Sequence, residues 1–274
     1  MELKNKVAIV TGSGRGIGEG IAMVLAREGA KLVIVDMNIE DAKSVVKKIE
    51  AGGGKAIATR TDISKKADVD AMVADTIKAF GTVDILVNNA GIEATPCLAH
   101  EMTEAQWDRV LGINLKGTFL CCQAVLPTMI AKNSGRIVNI ASTAGLRMTF
   151  FGSIDYTVSK HGVAGLTQHL AWEVADHHIT VNCVCPGGVL TPLMEQHTTA
   201  DFRNTVVKRL IPLGRMDTIE EIGEAVSFLG SDRAAMITGQ MLAVDGGLMT
   251  GFGEDLRPIV RKRMAEAKAA KAHA

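Results

Sequence analysis

The chain holds a single tyrosine, Tyr156, and Lys160 follows it four residues later, one helical turn along. On a helix that spacing puts both side chains on one face. A phenol is protonated near neutrality, with a pKa of about 10. A nearby ammonium stabilises the phenolate, giving an acid/base that can serve a hydroxyl or a carbonyl. Taken alone, Y-x-x-x-K also describes an ordinary surface pair, so the pattern needs a partner to mean chemistry.

That partner lies near the start of the chain, in Thr11-Gly12-Ser13-Gly14-Arg15-Gly16-Ile17-Gly18. An apolar β-branched run precedes it and a helical pattern follows. Glycines at such a turn let a pyrophosphate approach the backbone, and the helix N-terminus offers free N–H groups and a positive dipole end. The spacing is Gly12-x-x-x-Gly16-x-Gly18, because Ile17 stands where G-x-G-x-x-G would put its last glycine. Asp36 ends the second apolar run, 18 residues beyond Gly18. A carboxylate there accepts hydrogen bonds from a ribose diol and repels a 2′-phosphate, which favours NAD over NADP. Arg15 is the counter-signal, since a guanidinium beside the turn can pair with that phosphate.

Seven short apolar runs supply the scaffold: Val7–Val10, Leu32–Val35, Ala56–Ala58, Ile85–Val87, Arg136–Ala141, Thr180–Val184 and Met241–Val244. Helical patterns separate most of them, over 16–28, 39–51, 65–80, 103–131 and 154–176. Strands without polar alternation are buried on both faces, as parallel strands covered by helices are. The expected fold is α/β: a doubly wound (Rossmann) parallel seven-stranded sheet with helices on both faces, its ligands at the carboxyl ends of the strands. Residues 1–250 read as one catalytic domain, with 191–218 as a segment able to cover the substrate. Residues 251–274 read as a basic, alanine-rich tail, open to a solvated helix, a subunit contact or a cap on the site.

Composition removes several classes of function. Thirty Lys+Arg balance thirty Asp+Glu, so the chain has no general pull on nucleic acid or an anionic membrane. The apolar stretch from Leu111 to Ala131 contains Lys116 and Pro127 and reads as a buried helix, and a cytoplasmic protein is expected. Five cysteines form no C-x-x-C pair and are expected as free thiols. Seven histidines form no metal-ligand spacing, so no metal is expected.

Taken together, Thr11 to Gly18, Asn88-Asn89-Ala90-Gly91, Asn114, Ser142, Tyr156 to Lys160 and Pro186-Gly187 resemble the short-chain dehydrogenase/reductase family, single-domain type. The resemblance runs through Ile211 to Arg215 and Ile237 to Gln240, and ends at Val244-Asp245-Gly246-Gly247. It implies that Tyr156 exchanges a proton with the substrate oxygen and that Lys160 lowers its pKa and binds the nicotinamide ribose. Ser142 would hold the substrate oxygen. Asn114 would distort its helix and hold a proton-relaying water. The cofactor side would comprise Gly12, Ser13, Arg15, Gly16, Ile17, Gly18, Asp36, Met37, Asn88, Ala90, Gly91, Pro186, Gly187 and Val189. Asp62 and Ile63 would meet the adenine and Thr191 the carboxamide.

Met148, Phe150 and Met194, with Phe151, Leu190 and Leu193, fall on the expected substrate side and suggest an apolar pocket for a medium-sized or cyclic secondary alcohol or ketone. Glu93 is a weaker candidate there. Arg147 and His197 would either recognise an anion or face solvent. The Ser142-to-Tyr156 loop is one residue longer than the common pattern. The implied activity is an NAD-dependent alcohol dehydrogenase or ketone reductase, as a homotetramer or homodimer paired through the helices carrying Asn114 and Tyr156. An NADPH-dependent 3-oxoacyl reductase is the alternative enzyme. A nicotinamide-sensing or scaffold protein is the non-enzyme alternative, and it would not need Asn114, Ser142, Tyr156 and Lys160 together.

Overall fold

The seven apolar runs become seven strands, all paired in parallel: β1 (Val7–Thr11), β2 (Lys31–Asp36), β3 (Lys55–Arg60), β4 (Ile85–Asn88), β5 (Gly135–Ile140), β6 (Ile179–Pro186) and β7 (Met241–Val244). The structure is a computed structural model, and it describes residues 1–93, 97–148, 152–191, 194–195, 198–251 and 262. The order across the sheet is β3-β2-β1-β4-β5-β6-β7. After β1 the chain builds outward in one direction, and after β4 in the other. Helices leave the adjacent ends of β1 and β4 toward opposite faces, which opens a crevice between them.

Helices α1 (Gly16–Arg27), α2 (Ile39–Ala51) and α8 (Ile219–Gly230) cover one face, where Ile21, Leu25, Val45, Ile49, Val226 and Leu229 are buried in one cluster with residues of β1, β2, β4, β5 and β6. Helices α3 (Lys66–Phe80), α5 (Thr118–Ala131) and α6 (Ile154–Glu173) cover the other, through Met72, Val125, Met129 and Leu170. Helix α7 (Ala200–Leu210) lies within the expected covering segment. The base of that segment is tied to the sheet side by a parallel bridge between Val189 and Asp217.

The long helix expected over 103–131 is interrupted. It starts as α4 (Glu104–Leu111), capped by Thr103 and Gln106, widens into one π-helical turn over Gly112–Gly117, and resumes as α5. By length and apolar content Glu104–Ala131 could cross a membrane, yet Cys121, Cys122, Val125 and Met129 are packed into the core. All five cysteines are free thiols. The residues of the basic tail other than Lys262, from 252 onward, lie outside the described residues.

Helices α1 and α8 approach closely enough to need glycine at the crossing. A Cβ on Gly20 would stand 1.8 Å from Cγ2 of Ile219. Alanine at an open helix position would stabilise by about 1 kcal/mol over glycine. Here the clash reverses the sign, and Gly20→Ala should lower stability in urea denaturation by about 2 kcal/mol. In an Ile219→Ala background the same change should cost nothing or stabilise.

Candidate active site

The glycine turn is fastened to the end of β4 by side chains acting on backbone. The Thr11 hydroxyl accepts from the N–H groups of Asn89 (3.0 Å) and Ala90 (3.1 Å). The Asn89 amide donates back to the carbonyls of Thr11 (3.0 Å) and Gly12 (2.9 Å). Gly12 has φ +61°, and a Cβ there would sit 2.7 Å from the Ala90 Cα. A Cβ on Gly18 would lie 2.1 Å from the Gly12 carbonyl oxygen, so α1 can start this close to β1 only with glycine. Gly16, with φ +59°, has no atom within 4 Å of its Cβ position. The first turn of α1 is therefore bare on the side where a pyrophosphate would approach, and these residues fit a dinucleotide. Arg15 is exposed at the helix N-cap, and Ile17 packs against the core.

Ser13 corrects the expectation. It is fully buried; its hydroxyl donates to the Val10 carbonyl (2.7 Å) and accepts from the Val35 N–H (3.1 Å), and its own N–H goes to the Val35 carbonyl. It stitches β1 to β2 and has no side-chain donor left for a phosphate. Asn88 is corrected in the same way. Its amide donates to Oδ1 of Asn139 (2.8 Å) and Sγ of Cys122 (3.2 Å), beneath the crevice, and its Oδ1 is buried without a partner.

Asp36 sits at the end of β2 with its carboxylate accepting from Gly14 N–H (3.0 Å) and Asn38 N–H (3.0 Å). Beyond it, Met37, Arg60, Asp62, Lys65 and Asp68 line a small cavity. The Asp62 carboxyl is held below its usual range chiefly by the Ser64 hydroxyl, at 2.7 Å. Ile63 does not face this cavity. Its side chain is buried under the π-turn, where a Cβ on Gly117 would touch its Cδ1 at 2.7 Å.

At the centre, the Ser142 hydroxyl accepts from the Ala144 N–H (3.1 Å) and stands near enough to the Tyr156 phenol to lower its pKa. Lys160 is buried; its Nζ donates to the Ile140 carbonyl (2.9 Å) and stands 5.5 Å from the Tyr156 ring centroid. The Asn114 amide oxygen accepts from Ile92 N–H (2.8 Å), while its amide donates to the Ile92 carbonyl (2.9 Å) and the Ser159 hydroxyl (3.1 Å). Gly91 is wedged beside them: its Cβ position is 3.3 Å from Oδ1 of Asn114 and 3.5 Å from Nζ of Lys160. All four expected catalytic side chains are thus gathered at the ends of β4 and β5.

Burial dominates the electrostatics of this pair. Burial pushes Tyr156 up to about 12, the Glu93 charge adds to this, and only the Ser142 hydroxyl opposes it. Burial also pulls Lys160 down to about 8. One of the three ammonium N–H donors goes to the Ile140 carbonyl, which leaves two. One residue at this centre carries no sequence signal: Asp155, fully buried, accepts from the Ser153 hydroxyl and from the Tyr156 N–H (2.7 Å), which sets the start of α6.

On the substrate side, Met148 is exposed, Met194 is half-buried, and Phe150 lies outside the described residues, as do Phe151, Leu193 and His197. Thr191 accepts from the Met194 N–H (3.1 Å). Gly187 N–H, just past β6, is bonded to the Val244 carbonyl, and the Val189 side chain packs into the core. Arg147 is half-buried. Its guanidinium donates to the carbonyls of Leu248 (3.0 Å) and Gly251 (3.4 Å).

Comparison with known proteins agrees with this geometry. The family model described as Enoyl-(Acyl carrier protein) reductase matches residues 12–249. The (2S)-[(R)-hydroxy(phenyl)methyl]succinyl-CoA dehydrogenase subunit BbsD of Thauera aromatica is 42% identical over 90% of this chain and 98% of its own. The 3-oxoacyl-[acyl-carrier-protein] reductase FabG of Thermotoga maritima is 38% identical over 91% of this chain and 100% of its own. A crystal structure of levodione reductase superposes with TM-score 0.85 at 34% identity, covering 91% of this chain and 100% of that one. With the glycine turn, the π-turn asparagine and the Ser–Tyr–Lys cluster in one crevice of this sheet, the chain belongs to the short-chain dehydrogenase/reductase family of oxidoreductases.

Proposed function

We propose that the protein is an NAD-dependent oxidoreductase that moves a hydride between a secondary alcohol or ketone and the nicotinamide. The observation that carries this is the Ser142–Tyr156 hydroxyl pair above a buried Lys160, at the carboxyl ends of the strands beside the glycine turn. A bound nicotinamide dinucleotide supplies or accepts the hydride. Tyr156 donates its phenolic proton to the carbonyl oxygen in reduction and takes the hydroxyl proton in oxidation. Ser142 fixes that oxygen with a neutral donor where negative charge grows. Lys160, freed from Ile140, binds the nicotinamide ribose and favours the phenolate. Asn114 holds the loop at Ile92 in place and keeps the π-turn open for a proton-relaying water.

Asp36 supports NAD. Its carboxylate stands at the turn beside Gly14, where a 2′-phosphate would meet a like charge. Arg15 and Arg60, both exposed nearby, are the groups that would favour NADP. Met148, Leu190 and Met194 support a medium-sized or cyclic apolar substrate. The second reading, an NADPH-dependent 3-oxoacyl reductase, has the similarity to FabG in its favour. The reading includes a cytoplasmic protein and a homotetramer or homodimer; Phe119 on α5, and Val158 and Trp172 on α6, present apolar surface for pairing.

Tyr156→Phe should lower turnover of cyclic and acyl secondary alcohols by about 10³-fold or more, followed by NADH absorbance. NADH affinity, read by fluorescence titration, should stay within about threefold, because the phenol hydroxyl mainly serves the proton. Turnover that survives in this variant refutes the mechanism. Asp36→Asn keeps an acceptor for Gly14 while removing the charge. It should reduce the preference for NAD over NADP by about tenfold or more in kcat/KM, the size of one like-charge contact near a protein surface.

A further inference from the structure

The turn that follows β6 is flanked by two buried carboxyl groups with unequal surroundings. A Cβ on Gly187 would lie 2.8 Å from the Asp245 Cβ and 3.3 Å from Oδ2 of Asp217. Both aspartates are buried, at 7% and 6% exposure. Asp245 is fully employed, accepting from Gly247 N–H and Met249 N–H, each at 2.8 Å. Asp217 is not: its Oδ2 has no hydrogen-bond partner. The nearby cation Arg215 turns its guanidinium to Glu221, at 2.8 and 2.5 Å.

The backbone of Asp217 makes this a joint of the site. Its N–H donates to the Gly188 carbonyl and its carbonyl accepts from Leu190 N–H, both at 2.9 Å, so it holds the strap that leads to Thr191. At the same strand end, Cys185 lies within reach of the charges of both Lys160 and Asp245. The carboxyl therefore lies beside Gly187 and on the strap to Thr191, the residues expected to meet the cofactor and its carboxamide, and the inference rests on the proposed function to that extent.

We propose that Asp217 is a specificity-determining residue for cofactor redox state, its ionised carboxylate favouring the cationic ring of NAD⁺ over the neutral ring of NADH. An unspent charge in a partly desolvated wall acts over several ångströms with little screening. The effect needs the carboxylate form, so it follows pH. Burial, then Glu221 from α8 and Asp245 after β7, push Asp217 up to about 6, while the Gly187 N–H and Arg215 pull weakly the other way. The folded value lies above the unfolded value, so the folded chain binds the proton more tightly. Stability contributed by that proton is present at low pH and is lost as pH rises toward and through about 6. Above that range the charge remains, and it is there to act on the ring.

The test measures dissociation constants of NAD⁺ and NADH, by calorimetry and NADH fluorescence, for the wild type, Asp217→Asn and Asp217→Ser at pH 5.5 and 7.5, together with melting temperatures. In the wild type the ratio Kd(NADH)/Kd(NAD⁺) should rise about fivefold from the lower to the higher pH. In either neutral variant it should stay flat, and the variant should melt above the wild type at pH 7.5 but not at 5.5. A ratio that moves equally in wild type and variants overturns the inference. So does a change in melting temperature alone, which would leave Asp217 as a buried charge without reach to the ring. If the wild type binds neither cofactor at either pH, the proposed function fails first and takes this inference with it. The serine variant keeps the comparison intact should the asparagine variant not fold.

Discussion

The structure depends on two backbone N–H groups that the sheet itself cannot satisfy. Where β1 and β4 end side by side, their chains diverge to opposite faces, and the N–H groups of Asn89 and Ala90 lose any strand partner. The Thr11 hydroxyl accepts both. Each would otherwise carry a desolvation cost of about 1–3 kcal/mol. Because the acceptor is a side chain on β1, satisfying β4 also fixes the glycine turn against the Ala90–Gly91 loop. Gly12 must then be glycine, since Ala90 occupies the place of its Cβ. Gly91, one residue on, rests against Asn114 and Lys160. A single local demand thus runs from the turn that would hold a pyrophosphate to the groups that would move a proton.

Those groups are held under electrostatic strain of opposite sign. Burial raises the phenol to about 12 and lowers the ammonium to about 8, so both neutral forms gain. At neutral pH the lysine still carries its charge and the tyrosine its proton, the pairing suited to proton donation. The lysine is stabilised by one carbonyl, that of Ile140. A ribose hydroxyl offers a replacement for that acceptor, and moving Nζ toward the ring is what would turn the pair from two buried groups into an acid/base couple. The expectation of a phenol made acidic by its neighbour therefore describes a loaded site, and desolvation dominates the chain by itself.

The sequence made the scaffold legible because it is written in runs. Apolar strands without alternation gave the parallel sheet, and Asp36 ended β2 where a carboxylate can hold Gly14. Spacing says which turn a residue occupies but not which way its side chain turns. Asn88 and Asn139 are register partners on β4 and β5, so they share a face and bond to each other below the crevice. Ile63 and Val189 stand beside the site and point into the core. Ser13 sits inside the glycine motif yet serves the β1–β2 seam. Thr11 and Asn89, which stand in the motifs without a role of their own, and Asp155, which stands in none, show the converse: each acts on main-chain N–H or carbonyl groups, and no pattern of side-chain types records a backbone partner.

Buried polar groups without partners are costly, and among the described residues they are not spread evenly. Of Asn88 Oδ1, Asp155 Oδ2, Asp217 Oδ2 and Thr180 Oγ1, only the last lies away from the carboxyl edge of the sheet. Asn88 ends β4, Asp155 precedes Tyr156, and Asp217 backs the turn after β6. Folding stability alone would select against such atoms, because each gives up water and receives nothing. Three of these four atoms thus lie at the edge where an α/β sheet takes its ligands. At that edge the same side chains that join β4 to β5 and set the start of α6 also leave an oxygen without a partner, so structure and site share their polar groups there.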